Sequence, residues 1–258
     1  MLRNMVAFAR QGFHHMFAYR VDALLSLVGN FAMMLLHLAI WSSVLQESPA
    51  ARAEMLEYAF LNQLLMLWYF LPTWELGGRF RQGDVALELV KPVPMPLRYM
   101  GDFLGRDIHR VMLALPAYAL AVPLVGVLRW PGWDVLLLFL LSALLGWLIN
   151  ATVRFCVSFT ALWTVQFTHG DHLLQVLVYL LSGYFLPLWY LPESVAALAR
   201  WLPFQGIFFI PTAIYTGALS GTAALVAILF QIGWALAGSL LLAWVWRTGT
   251  RKLSVMGG

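Results

Sequence analysis

Six polar side chains lie inside long apolar runs of this sequence and are its best candidates for contact with a substrate. They are Asn30, His37, Gln63, Asn150, Arg154 and Gln175. Polar groups in apolar helices face the interior of a helix bundle, because contact with hydrocarbon is costly. These side chains therefore line a substrate path, or they hydrogen-bond neighbouring helices. Arg154 has a further alternative, since it can instead mark the end of a helix at the membrane interface.

Patterns of enzyme catalysis, metal binding and nucleotide binding are absent from the chain. It contains no His-Glu-x-x-His, no Gly-x-Ser-x-Gly and no Gly-x-x-x-x-Gly-Lys-Ser/Thr phosphate loop. His37 has no second ligand at helical spacing, and His169, Asp171 and His172 are typical of a solvated turn. Cys156 is the single cysteine and forms no internal disulfide. We expect no catalytic, cofactor or metal site, and no ATP site within this chain.

The densest charge of the sequence occupies residues 79–110, between two apolar runs. Its centre is a step of three prolines flanked by three charged side chains: Glu88, Lys91, Pro92, Pro94, Pro96 and Arg98. Proline restricts φ and stiffens the chain. Residues 79–106 are therefore either a solvated loop whose prolines end helices, or a stiff surface that passes force from a bound partner to the helices.

The composition is that of a protein in a lipid bilayer. Of 258 residues, 62% are hydrophobic and 11% are charged, where soluble domains carry about a quarter charged residues. The 12 tryptophans suit anchoring at both headgroup layers. The net charge of +4 is spread over short loops and forms no continuous face, so a nucleic-acid partner is not expected.

Apolar runs predict an all-α polytopic membrane protein with six transmembrane helices within residues 21–246. The predicted spans are residues 21–45, 57–76, 111–128, 135–167, 173–190 and 222–246. Pro116 and Pro123 are expected to break the third span, and residues 168–172 to form a polar turn before the fifth.

Two further segments do not fit a simple span. Residues 1–20 place apolar side chains at helical spacing opposite arginines, which predicts an interfacial helix, with a frayed tail as the alternative. Residues 193–217 contain two apolar pieces separated by Pro203, each too short to cross. Such pieces predict half-helices that re-enter from the outer face.

The orientation follows from the basic residues. Six spans put twelve on one side: Arg3, Arg10, Arg20, Arg79, Arg81, Lys91, Arg98, Arg106, Arg110, Arg247, Arg251 and Lys252. With Arg154 left out, the other side has only Arg52, Arg129 and Arg200. The positive-inside rule then makes both termini cytoplasmic, including the tail 247–258.

Two stretches and the order of the elements resemble the permease subunits of type-2 ABC exporters, in their compact six-helix subgroup. One stretch is residues 83–99, GDVALELVKPVPMPLRY, which is similar to that family's connector before the third span. The other comprises LPLWYLPE at 186–193, LPF at 202–204 and PTAIYTG at 211–217, similar to the signature before the last span.

This resemblance implies an exporter permease in the inner membrane, which moves a hydrophobic or amphipathic substrate by alternating access. Its expected partners are a separate ATPase subunit that binds ATP, a second permease copy or a homologous permease, and membrane lipids. The connector 79–106 is then the coupling surface, with Glu88, Lys91 and Arg98 as its polar contacts. The alternatives are an intramembrane lipid-modifying enzyme, which would need convergent catalytic groups, and a non-catalytic membrane scaffold.

Overall fold

The computed structural model describes residues 2–18, 20–73, 75–76, 79, 88, 90–125, 128–163 and 168–256. These ranges form nine α-helices and contain no strand, which confirms the all-α class. The helices are α1 (Leu2–Ala18), α2 (Arg20–Val44), α3 (Pro49–Trp68), α4 (Met95–Val125), α5 (Trp133–Phe159), α6 (Thr168–Leu181), α7 (Glu193–Trp201), α8 (Phe209–Tyr215) and α9 (Gly221–Met256). Residues 80–87 of the predicted connector, with Arg81 and Asp84, lie outside the described residues.

Three of the described helices are long and apolar enough to cross a membrane. The apolar stretches are Val21–Val44, Trp133–Leu162 and Gly221–Arg251, in α2, in α5 with the turn after it, and in α9. The other predicted spans fall on α3, which begins in a polar stretch, on α4, whose first half is charged, and on α6. With 14 residues, α6 is about 21 Å long and is shorter than the hydrocarbon core.

The predicted bounds of the second span, 57–76, are wrong, because α3 begins at Pro49 and ends at Trp68. Proline suits the first turn of a helix, where its missing N–H costs nothing. At the other end Tyr69 closes the helix by donating its N–H to the Leu65 carbonyl, at 2.9 Å. Pro72 then disfavours helical backbone at the residue before it.

The predicted break of the third span is also wrong. The helix α4 is continuous from Met95 to Val125 and contains both Pro116 and Pro123. Prolines are tolerated within membrane helices because neighbouring groups satisfy the freed carbonyls. The carbonyl of Pro94 accepts the N–H groups of Leu97 and Arg98 at 3.1 and 3.2 Å and begins the helix. The end of the predicted connector is therefore helical and continuous with the apolar half of α4.

The polar turn predicted at residues 168–172 is wrong, because α6 begins at Thr168. An acid in the first turn stabilises a helix N-terminus, and Asp171 has that position. The predicted fifth span, 173–190, ends early, at Leu181. Gly183, with a φ of 82°, turns the chain out of the helix.

Irregular backbone after α6 is buried and hydrogen-bonded by α3. The carbonyl of Gly183 accepts the Tyr58 hydroxyl at 2.6 Å and the Asn62 amide at 3.0 Å. Asn62 also donates to the Tyr184 carbonyl at 3.0 Å and accepts from the Thr212 hydroxyl at 2.7 Å. Covering by protein is what allows non-helical backbone in an apolar environment.

The segment 193–217 contains two short helices, α7 and α8, joined by a 3₁₀ turn at Pro203–Gly206. The side chains from Ile210 to Tyr215 in α8 are buried against α5 and α3. The last helix, α9, continues to Met256 and includes most of the predicted tail.

Close contacts at three glycines hold α1 against the first half of α4. A Cβ on Gly12 would overlap the backbone of Asp102, and one on Gly105 would overlap the Ala9 carbonyl. A Cβ on Gly101 would lie 2.8 Å from the Phe8 Cβ. Gly101 and Gly105 form a Gly-x-x-x-Gly pair, which lets helix backbones approach closely. The helix α1 is therefore packed against α4 and is no frayed tail.

Candidate functional site

Three of the predicted path residues form one hydrogen-bonded network between α2 and α3. Asn30 donates to the Gln63 backbone carbonyl at 3.2 Å, and the Gln63 amide contacts His37 Nδ1. Two tyrosines complete the network: Tyr118 of α4 donates to Asn30, and Gln63 donates to the Tyr184 hydroxyl at 2.9 Å. The network consists of amides, phenols and an imidazole, and it contains no carboxylate or guanidinium group.

The other three predicted path residues form a second network, around α5. Arg154 is 5% exposed and donates to the Asn150 amide oxygen at 2.9 Å and to Gln175. Its guanidinium lies 4.0 Å from the Asp171 carboxylate. Asn150 in turn donates to the Tyr69 carbonyl at 3.0 Å. Arg154 therefore lies in the bundle interior, where a buried charge needs such partners.

Three adjoining cavities run along the side of the chain that carries these networks. The amide cavity, of 210 Å³, is lined by Asn30, Gln63, Tyr179, Tyr184 and Phe185 among others. The arginine cavity, of 220 Å³, is lined by Arg154, Asp171, Gln175 and Tyr179 among others. The basic cavity, of 490 Å³, is lined by His15, Asp22, Glu75, Arg79, Arg106 and Arg110 among others.

These cavities are neighbours and are open to the surface of a single chain. Phe70 lines all three, and Arg110 lines both the basic and the amide cavity. Met33 of α2 and Phe185, which line the amide cavity, are 38% and 40% exposed. The arrangement forms a polar and aromatic groove, and not an enclosed core.

A buried ion pair that the sequence prediction missed fixes α4 beside this groove. Asp107 is fully buried and accepts from Arg110 at 2.6 Å and from the Trp147 indole at 2.8 Å. Arg110 also donates to the Phe70 carbonyl at 2.8 Å and lies over the Phe70 ring, 4.6 Å from its centroid. The i,i+3 spacing of Asp107 and Arg110 is the sequence feature from which this ion pair could have been predicted. The contact with Trp147 depends on the tertiary fold.

Three more residues of the networks were not predicted as path residues. Tyr118 and Tyr184 lie in aromatic surroundings, and only the tertiary fold brings them to Asn30 and Gln63. Asp171 was assigned to a solvated turn, but it is 7% exposed and accepts from Thr73 at 3.1 Å. The burial of Asp171 could have been predicted from Arg154, because a charge within the membrane requires an opposite charge nearby.

The connector charges pair with one another around Glu88. This carboxylate is 6% exposed and accepts from Lys91 at 2.7 Å and from Arg98, with Arg79 at 3.9 Å. Arg98 also donates to the Val93 carbonyl at 3.0 Å across the proline step. Burial of the Glu88 carboxyl raises its pKa, but the hydrogen bonds and charges of Lys91 and Arg98 outweigh burial and hold the pKa below its usual range.

Comparison with known proteins gives a family for this arrangement. A family profile described as "ABC-2 family transporter protein" matches residues 31–257. No curated protein matches the sequence. Because the profile covers most of the chain, the chain belongs to the ABC-2 transporter family, as a multi-pass membrane permease whose family partner is an ABC ATPase subunit.

Proposed function

We propose that this permease is the membrane half of an ATP-driven exporter and moves a hydrophobic or amphipathic substrate by alternating access between two permease copies. ATP binds to the separate ATPase subunit. The observation that carries this proposal is the groove formed by the three adjoining cavities. Family membership favours transport over the intramembrane enzyme and the scaffold.

The groove supports a second permease copy because its ionisable lining cannot face lipid acyl chains. Arg110, Arg154 and Asp171 line cavities that are open in a single chain. Ionisable groups at membrane depth face protein or a water-filled path. A second copy that covers the groove provides both the protein contact and the water-filled path, since two facing grooves enclose a path between the copies.

The amide cavity supports the proposed substrate class. Aromatic rings, methionines and neutral amides dominate its walls, and Arg110, the charged residue in its lining, is already paired with Asp107. Such walls bind apolar surface and orient it with a few hydrogen bonds. A hydrophilic ion would find no unpaired charge there among the described residues.

Coupling to the ATPase is proposed to run through the connector into α4. Glu88 is buried among its partners, so it organises the surface, while the half-exposed Lys91 and the exposed Val90 are available for contact. Because α4 continues without a break from the proline step to Val125, movement of the connector displaces Arg106, Arg110 and Tyr118 together. These side chains belong to the basic cavity and the polar network.

The proposed topology has six spans in the inner membrane, with both termini cytoplasmic and α7 and α8 re-entrant from the outside. The excess of basic residues on one side supports it. Cysteine labelling in a background without Cys156 tests it. Single cysteines in 79–106 and 247–258 should resist a membrane-impermeant reagent, whereas a cysteine at Arg52 should react. Labelling of the first two regions from outside would overturn the topology.

The groove-facing dimer is tested by crosslinking in native membranes. Met33→Cys places a thiol on the exposed wall of the amide cavity, and Leu229→Cys places one on the exposed face of α9, where Leu229 is 66% exposed. We expect a dimeric crosslink with Met33→Cys and little with Leu229→Cys. The reverse pattern would place the second copy on α9 and contradict a path through the groove.

The transport proposal itself is tested with the permease and its ATPase reconstituted together. Hydrophobic and amphipathic compounds should stimulate ATP hydrolysis, and Gln63→Leu should change which compounds do so. A variant at the exposed external Arg52, Arg52→Gln, serves as the control. Equal responses of the two variants to every compound would show that the amide cavity is not the substrate site.

A further inference from the structure

The basic cavity adjoins a smaller one beside the connector, and two arginines line both. This connector cavity has a volume of 200 Å³, and it shares Arg79, Arg106 and His15 with the basic cavity. The two arginines come from different elements, the segment after α3 and the helix α4. Their guanidinium groups face one polar space between α1 and α4.

Both arginines have guanidinium N–H donors that no described protein group accepts. Arg79 is about half exposed, and the carboxylate of Glu88 is 3.9 Å from its guanidinium, beyond hydrogen-bond length. Arg106 uses its terminal nitrogens for Asp102 at 2.8 Å and Glu75 at 3.4 Å. Its buried Nε has no partner among the described groups. A guanidinium has five N–H donors that match the oxygens of a phosphate.

A carboxylate lines the same space. Asp22 lies in the first turn of α2, is exposed and has no ion pair within the described part of the chain. A purely anionic ligand would be repelled by this charge. A ligand that carries a phosphate and a nearby ammonium group would satisfy the arginines and Asp22 together.

We propose that the basic cavity binds the headgroup of a zwitterionic phospholipid with a primary ammonium. The phosphate contacts Arg79 and Arg106, and the ammonium contacts Asp22. The volume of 490 Å³ lies within the range of small-molecule sites, about 300 to 1,000 Å³. This inference rests on one part of the proposed function, the topology that places α1 and the start of α2 at the cytoplasmic face of the membrane.

Asp22 lies at the edge between the cavity and an exposed apolar face of α2. Val21, Leu24, Leu25 and Val28 are between 52% and 69% exposed and form an apolar ridge on that face. At about 100° per residue, the ridge points away from Ala23 and Ser26, which line the cavity. A lipid with its headgroup in the cavity would therefore pass its chains around Asp22 onto this ridge.

Native mass spectrometry of the delipidated full-length permease measures lipid binding to this site. The measurement needs neither the ATPase nor transport, so it is independent of the proposed transport activity. The probes are phosphatidylethanolamine, phosphatidylcholine, phosphatidylglycerol and soluble O-phosphoethanolamine. We expect phosphatidylethanolamine to bind about fivefold or more above the other two lipids. Arg79→Gln and Arg106→Gln should each weaken it about tenfold, since each removes charge-assisted hydrogen bonds.

Asp22→Asn should remove the preference over phosphatidylglycerol while phospholipid binding persists. Arg52→Gln, an exposed arginine outside the cavity, should bind as wild type does. If soluble phosphoethanolamine binds as tightly as the lipid, the site recognises the phosphate and ammonium groups, and its ligand is a soluble molecule that carries them. Equal binding of all three lipids, with Arg79→Gln indistinguishable from Arg52→Gln, would overturn the proposal. Arg79 is half exposed, so this variant tests the site even if Arg106→Gln fails to fold.

Discussion

Neutralising Glu88 should release the connector that we propose docks the ATPase. In Glu88→Gln the side chain keeps its size but loses its charge, and Arg79, Lys91 and Arg98 lose their common anionic partner. Arg98 then holds the proline step through its backbone contacts with Val93 and residue 88, without the charge-assisted hydrogen bond to a carboxylate. The connector should therefore occupy its docking conformation for a smaller fraction of the time.

The size of this effect follows from the burial of each pair. Glu88 and Arg98 are 6% and 11% exposed, and a charge-assisted hydrogen bond at such a site contributes about 1.5 to 3 kcal/mol. Lys91 is 49% exposed, so its pair adds less than about 1 kcal/mol. The loss is then about 2 to 4 kcal/mol, or roughly thirtyfold to several hundredfold in affinity if docking needs this conformation.

Titration of the purified permease variants with the ATPase subunit, together with ATPase stimulation, measures the loss. Lys91→Gln is the matched control, because it removes an exposed partner of the same carboxylate and should cost less than about fivefold. Combining Glu88→Gln with Arg98→Gln should cost little more than either change alone, since both remove one interaction. Equal affinities for Glu88→Gln, Lys91→Gln and Arg52→Gln, in complexes shown to be active, would refute this role of the connector.

Three further predictions concern stability. Because its hydrogen bonds lower the folded pKa of Glu88, its stabilisation is present above the ordinary carboxyl pKa of about 4.3 and is lost as pH falls through the lower folded value. Hydrogen exchange, corrected for intrinsic rates, should show the connector unchanged from pH 7 to 5; loosening in that range would contradict this. Gly105→Ala should lower the melting temperature by several degrees through overpacking against α1, whereas Gly233→Ala, with open space around it, should not. Arg154→Met should destabilise by about 3 to 5 kcal/mol in thermal unfolding, because Asp171 stays buried and unpaired; adding Asp171→Asn should recover part of the loss, and no recovery would exclude the pairing.

The position of the polar residues was predictable from sequence, but their partners were not. His37, Gln63, Asn150 and Arg154 are all buried, as expected of polar groups within apolar runs. Their division into two networks depends on which helices are neighbours. Tyr184, which completes the first network, comes from irregular backbone after α6. Hydropathy contains no information on such long-range contacts.

The ends of the helices were the least predictable feature. Apolar side chains continue past Trp68, so hydropathy alone extends the second span. The helix nevertheless ends at Trp68, because the helical hydrogen bonds stop at the N–H of Tyr69. Pro116 weakens α4 locally, yet the helix persists through it, because packing outweighs a single missing donor. Both errors arise because local propensity competes with tertiary contacts.

The exposure of the helices favours one side of the chain for the second copy. The apolar stretches of α2 and α9 are each 22% buried, against 50% for α5, so both helices are peripheral. They differ in what surrounds them. Beside α2 lie the amide and basic cavities, with polar walls that acyl chains cannot satisfy, whereas α9 contributes no residue to the three cavities of the groove. Acyl chains can therefore cover α9 at no cost, whereas the walls beside α2 need protein, water or a lipid headgroup. The crosslink at Met33 should therefore form, and the one at Leu229 should not.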